Sequence, residues 1–310
     1  MSLRDNFHNG DTIMIEGALG VRLRGEYGVN SDPIVANASL VYEERARAAM
    51  KEIYGQYMGI AEHYNLPIML MTPTRRANRF NVERSVYDKE IIRDNVKLLK
   101  DLREDSTRKD IYVGALMGCK GDAYQANEVL SEKDAYEFHS WQAELFAKEQ
   151  VDFLYAGVMP AMPEIIGMAQ AMGDTGIPYI ISFMVRNNGR LIDGTSIHDA
   201  IQAVETTVRT KPLTYMANCI HPINLDLALS KEFNQTELVG TRFRGIQANA
   251  SPLSPEELDG SCEIITSDPA ELAQGMIKLR DQYQLQIFGG CCGTNQHHME
   301  ELAKRLSNPR

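Results

Sequence analysis

The chain has 310 residues, 44% of them hydrophobic and 24% charged, and a formal net charge of -10. That length holds one large α/β barrel or two ordinary domains. No apolar run approaches the ~20 residues of a membrane helix, and an acidic chain opposes nucleic acid, where lysine and arginine on phosphate supply most of the affinity.

Strand-like apolar runs alternate with longer helical patterns along the whole chain, the mark of repeated βα units and a parallel sheet. The predicted strands are 12–16, 67–72, 111–117, 152–157, 178–183, 215–219, 245–249 and 285–289. Helical spacing covers 35–64, 88–104, 133–149, 163–172, 197–209, 225–229, 268–284 and 296–306, the first long enough to hold an extra helix. Eight strands close a barrel, so the expected fold is a single (β/α)8 TIM barrel over 1–310 as one domain. Gly, Pro and Asn cluster where strands hand over to helices, as in GVNSDP, TPTRRAN and ASPLSP, which places these loops at the catalytic end. No linker, low-complexity tract or short repeat interrupts the pattern, and the glycines at 10 and 118–121 lack the spacing of a phosphate-binding loop. The N-terminus, MSLRDNFHNGDTIMIEG, lacks the basic stretch and apolar core of a secretory signal. Together with an odd count of five cysteines, this leads us to expect a reduced, cytoplasmic setting.

The most informative stretch is Gly289-Gly290-Cys291-Cys292-Gly293-Thr294. Successive side chains of a strand point to opposite faces, so adjacent cysteines grip one ion only where the backbone leaves the extended conformation, which glycine permits. Thiolate zinc then needs one more cysteine. Cys219, ending another strand, is the candidate, because strand ends far apart in sequence converge on one barrel mouth. Glu16, ending the first strand, comes to the same mouth. Cys119 and Cys262 read as buried small hydrophobes.

These residues resemble the homocysteine S-methyltransferase family, zinc-dependent thiol methyltransferases. The resemblance rests on GGCCGT at 289–294, Asn218-Cys219, the opening EGALG at 16–20, Thr72-Pro73-Thr74 with Ala77-Asn78, and ISFMVRNNGRLIDGTSIHDAI at 181–201. It implies a (β/α)8 barrel, Zn2+ held by Cys219, Cys291 and Cys292, and an incoming substrate thiol as fourth ligand. Glu16, Gly17, Ala18 and Asn218 are the implied substrate contacts, and no side chain beyond the activated thiolate is needed for chemistry. The expected partners are a small-molecule thiol acceptor and a small methyl donor such as S-methylmethionine or a betaine-like cation, since the chain stops at residue 310. No nucleic acid or membrane partner is expected, and a homo-oligomer is left open.

The sequence departs from the family pattern where the acceptor's amine is held. Glu16 is one methylene longer than the usual aspartate, Val21 replaces a threonine, Gly157 stands where a strand-four glutamate is expected, and Val158 stands where a small polar or aromatic residue is common. Asp122 and Glu164 are candidate substitutes near the mouth. His221 reads as either an exposed loop residue or a proton acceptor. His297 and His298 start the last helix and suit capping better than metal. Asn218 and Asn249 either orient ligands or form turns, and Met71, Met117, Met159 and Met184 fill core. Two other readings remain: a barrel of this family that acts on a different thiol or binds without turnover, and a redox pair at Cys291 and Cys292.

Overall fold

The structure, a computed structural model, describes residues 1–253 and 267–307. Eight parallel strands close into one barrel in sequence order. They are β1 (Ile13–Ile15), β2 (Ile68–Met71), β3 (Ile111–Gly118), β4 (Phe153–Met159), β5 (Tyr179–Phe183), β6 (Thr214–Ile220), β7 (Phe243–Ala248) and β8 (Ile287–Gly290). Closure is the β1–β8 pairing, Ile13 against Ile287 and Met14 against Phe288. All eight expected strands are present, and no helix among the described residues is long and apolar enough to cross a membrane.

Alternation along the strands divides the core in two. Ile13, Ile15, Met69, Tyr112, Phe153, Tyr155, Ile180, Met216 and Ile287 point inward and fill the barrel. Their neighbours in sequence point outward and pack under the helices, as Val113, Leu154, Ile181 and Phe288 do. The inner stack is tight: a Cβ on Gly114 would collide with the Phe153 ring that crosses the barrel.

Four helices among the described residues escaped the sequence pattern, two of them the short Arg79–Val82 and Glu237–Arg242. Helix α1 (Leu3–His8) plugs the bottom of the barrel with Leu3, and its Asn6 amide donates to the Tyr112 hydroxyl at 2.8 Å. Helix α2 (Gly20–Tyr27) follows β1 where a loop was expected; it buries only Arg22 and Leu23, too little for an apolar stripe. The long predicted segment 35–64 divides into a 3-10 turn, Asn37–Tyr42, and α3 (Glu44–His63). The remaining helices used below are α4 (Arg79–Val82), α5 (Glu90–Glu104), α6 (Glu132–Lys148), α7 (Met162–Asp174), α8 (Ile197–Thr207) and α9 (Pro222–Leu229).

Candidate active site at the barrel mouth

Chain geometry, more than glycine freedom, brings the three cysteines together. Strand β8 ends at Gly290, and Cys291 to Thr294 form a turn in which the Cys291 carbonyl accepts the Thr294 N–H at 3.2 Å and its hydroxyl at 2.7 Å. Gly293, at φ +81°, occupies the turn position that needs a left-handed backbone. Gly289 and Gly290 serve a different purpose from the one their sequence suggested: neither has positive φ, and both allow close approach of β8 to β1. A Cβ on Gly289 would lie 2.7 Å from Ile15 Cβ, and one on Gly290 would strike the Thr294 hydroxyl.

The third cysteine is aimed by strain. The β6–β7 register slips between Asn218 and Ile220, leaving Cys219 as the extra residue of a bulge at φ +56°. Bulges of this kind redirect a side chain next to a site. The Asn249 amide holds the turn by donating to the Cys219 carbonyl at 3.1 Å. Sγ atoms of Cys219, Cys291 and Cys292 consequently lie within 4.8 Å of one another, with Cys219 and Cys291 at 2.8 Å.

Thiol chemistry in this trio is collective. Hydrogen bonds from Cys219 and Cys291 pull the Cys292 thiol well below its usual range, and the Arg75 charge adds to that. Cys291 moves far upward through its hydrogen bonds with Cys219 and Cys292. Cys219, despite its bond with Cys291, is pushed up to about 12 by Cys292 and by burial. Sulfurs on a tetrahedral ion with bonds of about 2.3 Å sit ~3.8 Å apart. The separations here bracket that spacing, so the donor set fits a thiolate-preferring metal.

Beside the sulfurs lies a cavity of about 250 Å³, small against the roughly 300–1,000 Å³ of drug-sized sites. Glu16, Gly17, Ala18, Asn218 and all three cysteines line it. The Glu16 carboxylate oxygens both accept from the Met71 N–H at 3.2 Å. Burial lifts this carboxyl from 4.5 to about 8, against the opposing pull of the Glu16 and Met71 N–H groups. Ala18 is committed internally, its N–H to Thr294 Oγ1 at 3.1 Å and its carbonyl to the Tyr57 hydroxyl at 2.9 Å. The first-strand motif and the cysteine turn are therefore tied through Thr294. Asn218 Oδ1 accepts from the Val158 N–H at 3.0 Å and the Ser182 hydroxyl at 2.7 Å, leaving its NH2 group for a ligand.

The expected glutamate position is now defined. Gly157 pairs with Gly118 at the ends of β4 and β3, and a Cβ there would meet Leu116 Cδ1 at 2.8 Å, so a leucine occupies the space. Val158, the extra residue of a second bulge at φ +56°, lines the cavity instead. That conformation costs a β-branched residue about 1–3 kcal/mol. Neither suggested substitute reaches the cavity. Glu164 is buried on α7, accepting from the Lys120 N–H at 2.7 Å and pairing with His139 at 3.0 Å, and Asp122 caps its own loop through the Tyr124 N–H at 2.8 Å.

The remaining candidates are placed as follows. His221 caps α9, accepting the Ile223 N–H at 3.3 Å, and lines a separate cavity of about 140 Å³ that shares Cys219. His298 bonds Asn295 and the Ser267 carbonyl, and neither it nor His297 joins the sulfurs. Cys119 is buried; Cys262 lies outside the described residues. The sequence reading missed Tyr124, whose hydroxyl engages the Cys219 thiol, and Arg75, Gln247 and Tyr54, all lining the cavity. Of these only Arg75 carried a signal, as a basic residue in a loop assigned to the catalytic end.

Comparison with known proteins agrees with this geometry. No curated protein is significantly similar in sequence. The metallated form of homocysteine methyltransferase MmuM from Escherichia coli superposes with a TM-score of 0.78 at 19% identity, covering 98% of this chain and 99% of that one. Its oxidized form gives the same 0.78, and its apo form 0.70, at the same identity and coverage. These likenesses concern the fold. The family model described as homocysteine S-methyltransferase matches residues 13–306, from β1 to the end of the last helix. Matched over nearly its whole length and carrying three convergent cysteines at the mouth, the chain belongs to the homocysteine S-methyltransferase family and is an S-methyltransferase.

Proposed function

We propose that this protein is a zinc-dependent enzyme that transfers a methyl group from a small donor to the thiolate of homocysteine or a closely related thiol, in a cytoplasmic setting. The observation that carries the reading is the convergence of Cys219, Cys291 and Cys292 on one edge of a cavity whose other walls include Glu16 and Asn218. Zinc in this position supplies a Lewis acid that keeps an incoming sulfur deprotonated at neutral pH, from an ordinary thiol pKa near ~8.5.

The chain's own residues would do the rest. Cys219, Cys291 and Cys292 hold the ion and leave one direction open to the acceptor. Glu16 accepts the acceptor's ammonium. Its proton, retained by burial, passes to solvent as the positive charge arrives, because a nearby cation favours the carboxylate. Asn218 offers its free NH2 group, while Leu116, Met71 and Val158 give the cavity apolar wall. The thiolate then attacks the methyl carbon in line with its bond to the donor atom, so that the S–C bond forms as that bond breaks and the donor leaves with its electron pair.

The test is metal analysis paired with turnover. The purified protein should carry about one equivalent of zinc, and Cys219→Ser should lose both the metal and methyl transfer to homocysteine from a donor panel. Full activity with no metal bound, or an unaltered Cys219→Ser enzyme, would overturn the assignment.

A further inference from the structure

The cavity contains one guanidinium that forms no ion pair with a carboxylate and no side-chain hydrogen bond among the described residues. Arg75 sits in the loop after β2 and lines the same cavity as the three cysteines. That loop is rigid on both sides of it. Thr74 donates to the Leu116 carbonyl at 2.9 Å, and the Gln142 amide donates to the Thr74 carbonyl at 2.9 Å. Arg76 is committed to the carbonyls of Lys120 and Gly121, and Asn78 caps α4. Arg75 itself makes no ion pair or side-chain hydrogen bond among the described residues, although it is half-buried. Its stem lies across the end of β3, where a Cβ on Gly118 would come 2.5 Å from Arg75 Cγ, so only glycine lets the side chain take this course.

Every other residue around the cavity is an acid, a thiol, a neutral amide or hydroxyl, or apolar. A planar fork of N–H donors on a loop held at both sides, half out of water, with no carboxylate partner among the described residues and only the Cys292 sulfur nearby to balance its charge, matches a carboxylate. We propose that Arg75 is a specificity-determining residue that binds the carboxylate of the thiol acceptor, so that the enzyme selects thiols bearing an acid group at the far end from the sulfur. This builds on the acceptor reading given above. It assigns acid-end recognition to a side chain, whereas the N–H groups at the start of α2, which also line the cavity, are the competing anion site.

The experiment is calorimetric titration of the metal-loaded protein with homocysteine and with 3-aminopropane-1-thiol, the same thiol without its carboxylate. Wild-type protein should bind homocysteine at least tenfold more tightly, the least that a lost charge-assisted pair produces. Arg75→Met should lower homocysteine affinity at least tenfold while moving the amine thiol by less than threefold, and Arg75→Lys should recover part of the loss. The amine thiol thus reports on folding and metal loading within the same protein. Equal loss for both thiols in Arg75→Met would make Arg75 a counter-charge for the sulfurs and overturn the proposal. Unchanged homocysteine affinity would overturn it in favour of the α2 N–H groups. Wild-type protein that binds neither thiol would overturn the proposal together with the acceptor reading; in each of the other cases that reading stands.

Discussion

Replacing Glu16 by glutamine should make stability less dependent on pH, in a direction fixed by burial. In the unfolded chain the carboxyl ionises near 4.5, whereas the folded protein holds it neutral to about 8. Between those values the unfolded state has lost a proton that the folded state keeps, so stability falls as pH rises, by about 1.36 kcal/mol per pH unit. Over that window of 8 minus 4.5, or 3.5 pH units, the wild type loses about 3–6 kcal/mol. Glutamine keeps the acceptor for the Met71 N–H and has nothing to ionise. Urea unfolding of the metal-free proteins at pH 5 and pH 8 is the assay. The two should agree within about 1 kcal/mol at pH 5, and Glu16→Gln should be more stable by roughly 3–5 kcal/mol at pH 8. A difference that is constant with pH, or larger in acid, would refute the claim that Glu16 is buried uncharged.

Three further substitutions test packing, two at the site and one away from it. Asn218→Ala removes the acceptor shared by the Val158 N–H and the Ser182 hydroxyl; leaving both buried groups unpaired should cost about 2–4 kcal/mol by urea midpoint. Gly290→Ala puts a methyl group against the Thr294 hydroxyl and 3.1 Å from Gly17 Cα, so it should destabilise by about 2–3 kcal/mol and release bound zinc on dialysis. Gly167→Ala, far from the mouth, tests the α6–α7 crossing, where a Cβ would strike the Glu132 carbonyl and sit 2.6 Å from Ala135 Cβ. A loss of about 3 kcal/mol with metal content unchanged is expected.

The barrel was legible because its strands are buried on both faces and read as short apolar runs such as Ile68–Met71 and Tyr179–Phe183, separated by patterns of helical length. The cysteine trio was legible because two adjacent cysteines among glycines are poor core filler and a third stood at another strand end. What the sequence concealed is local and conformational. The left-handed backbone of Cys219 and Val158 depends on register slips in β6–β7 and β4–β5, which leave no mark on residue type. Helix α2 has no apolar stripe because only Arg22 and Leu23 meet the core. Glu164 and Asp122 looked equivalent to an acid at the mouth, but a βα connection can turn a side chain into a helix interface as readily as into a cavity. In this chain Glu164 is satisfied by His139 and the Lys120 N–H. Arg75 was visible as a residue and invisible as a site, since its significance comes from what its neighbours are already bonded to.

The central claim is that Cys219, Cys291 and Cys292 hold one ion and leave a place for one more sulfur. X-ray absorption at the zinc edge of the loaded protein measures this directly. Three sulfur neighbours at about 2.3 Å, rising to four on addition of homocysteine, is the predicted result. Two or fewer sulfurs, or a coordination shell unchanged by the thiol, would contradict it.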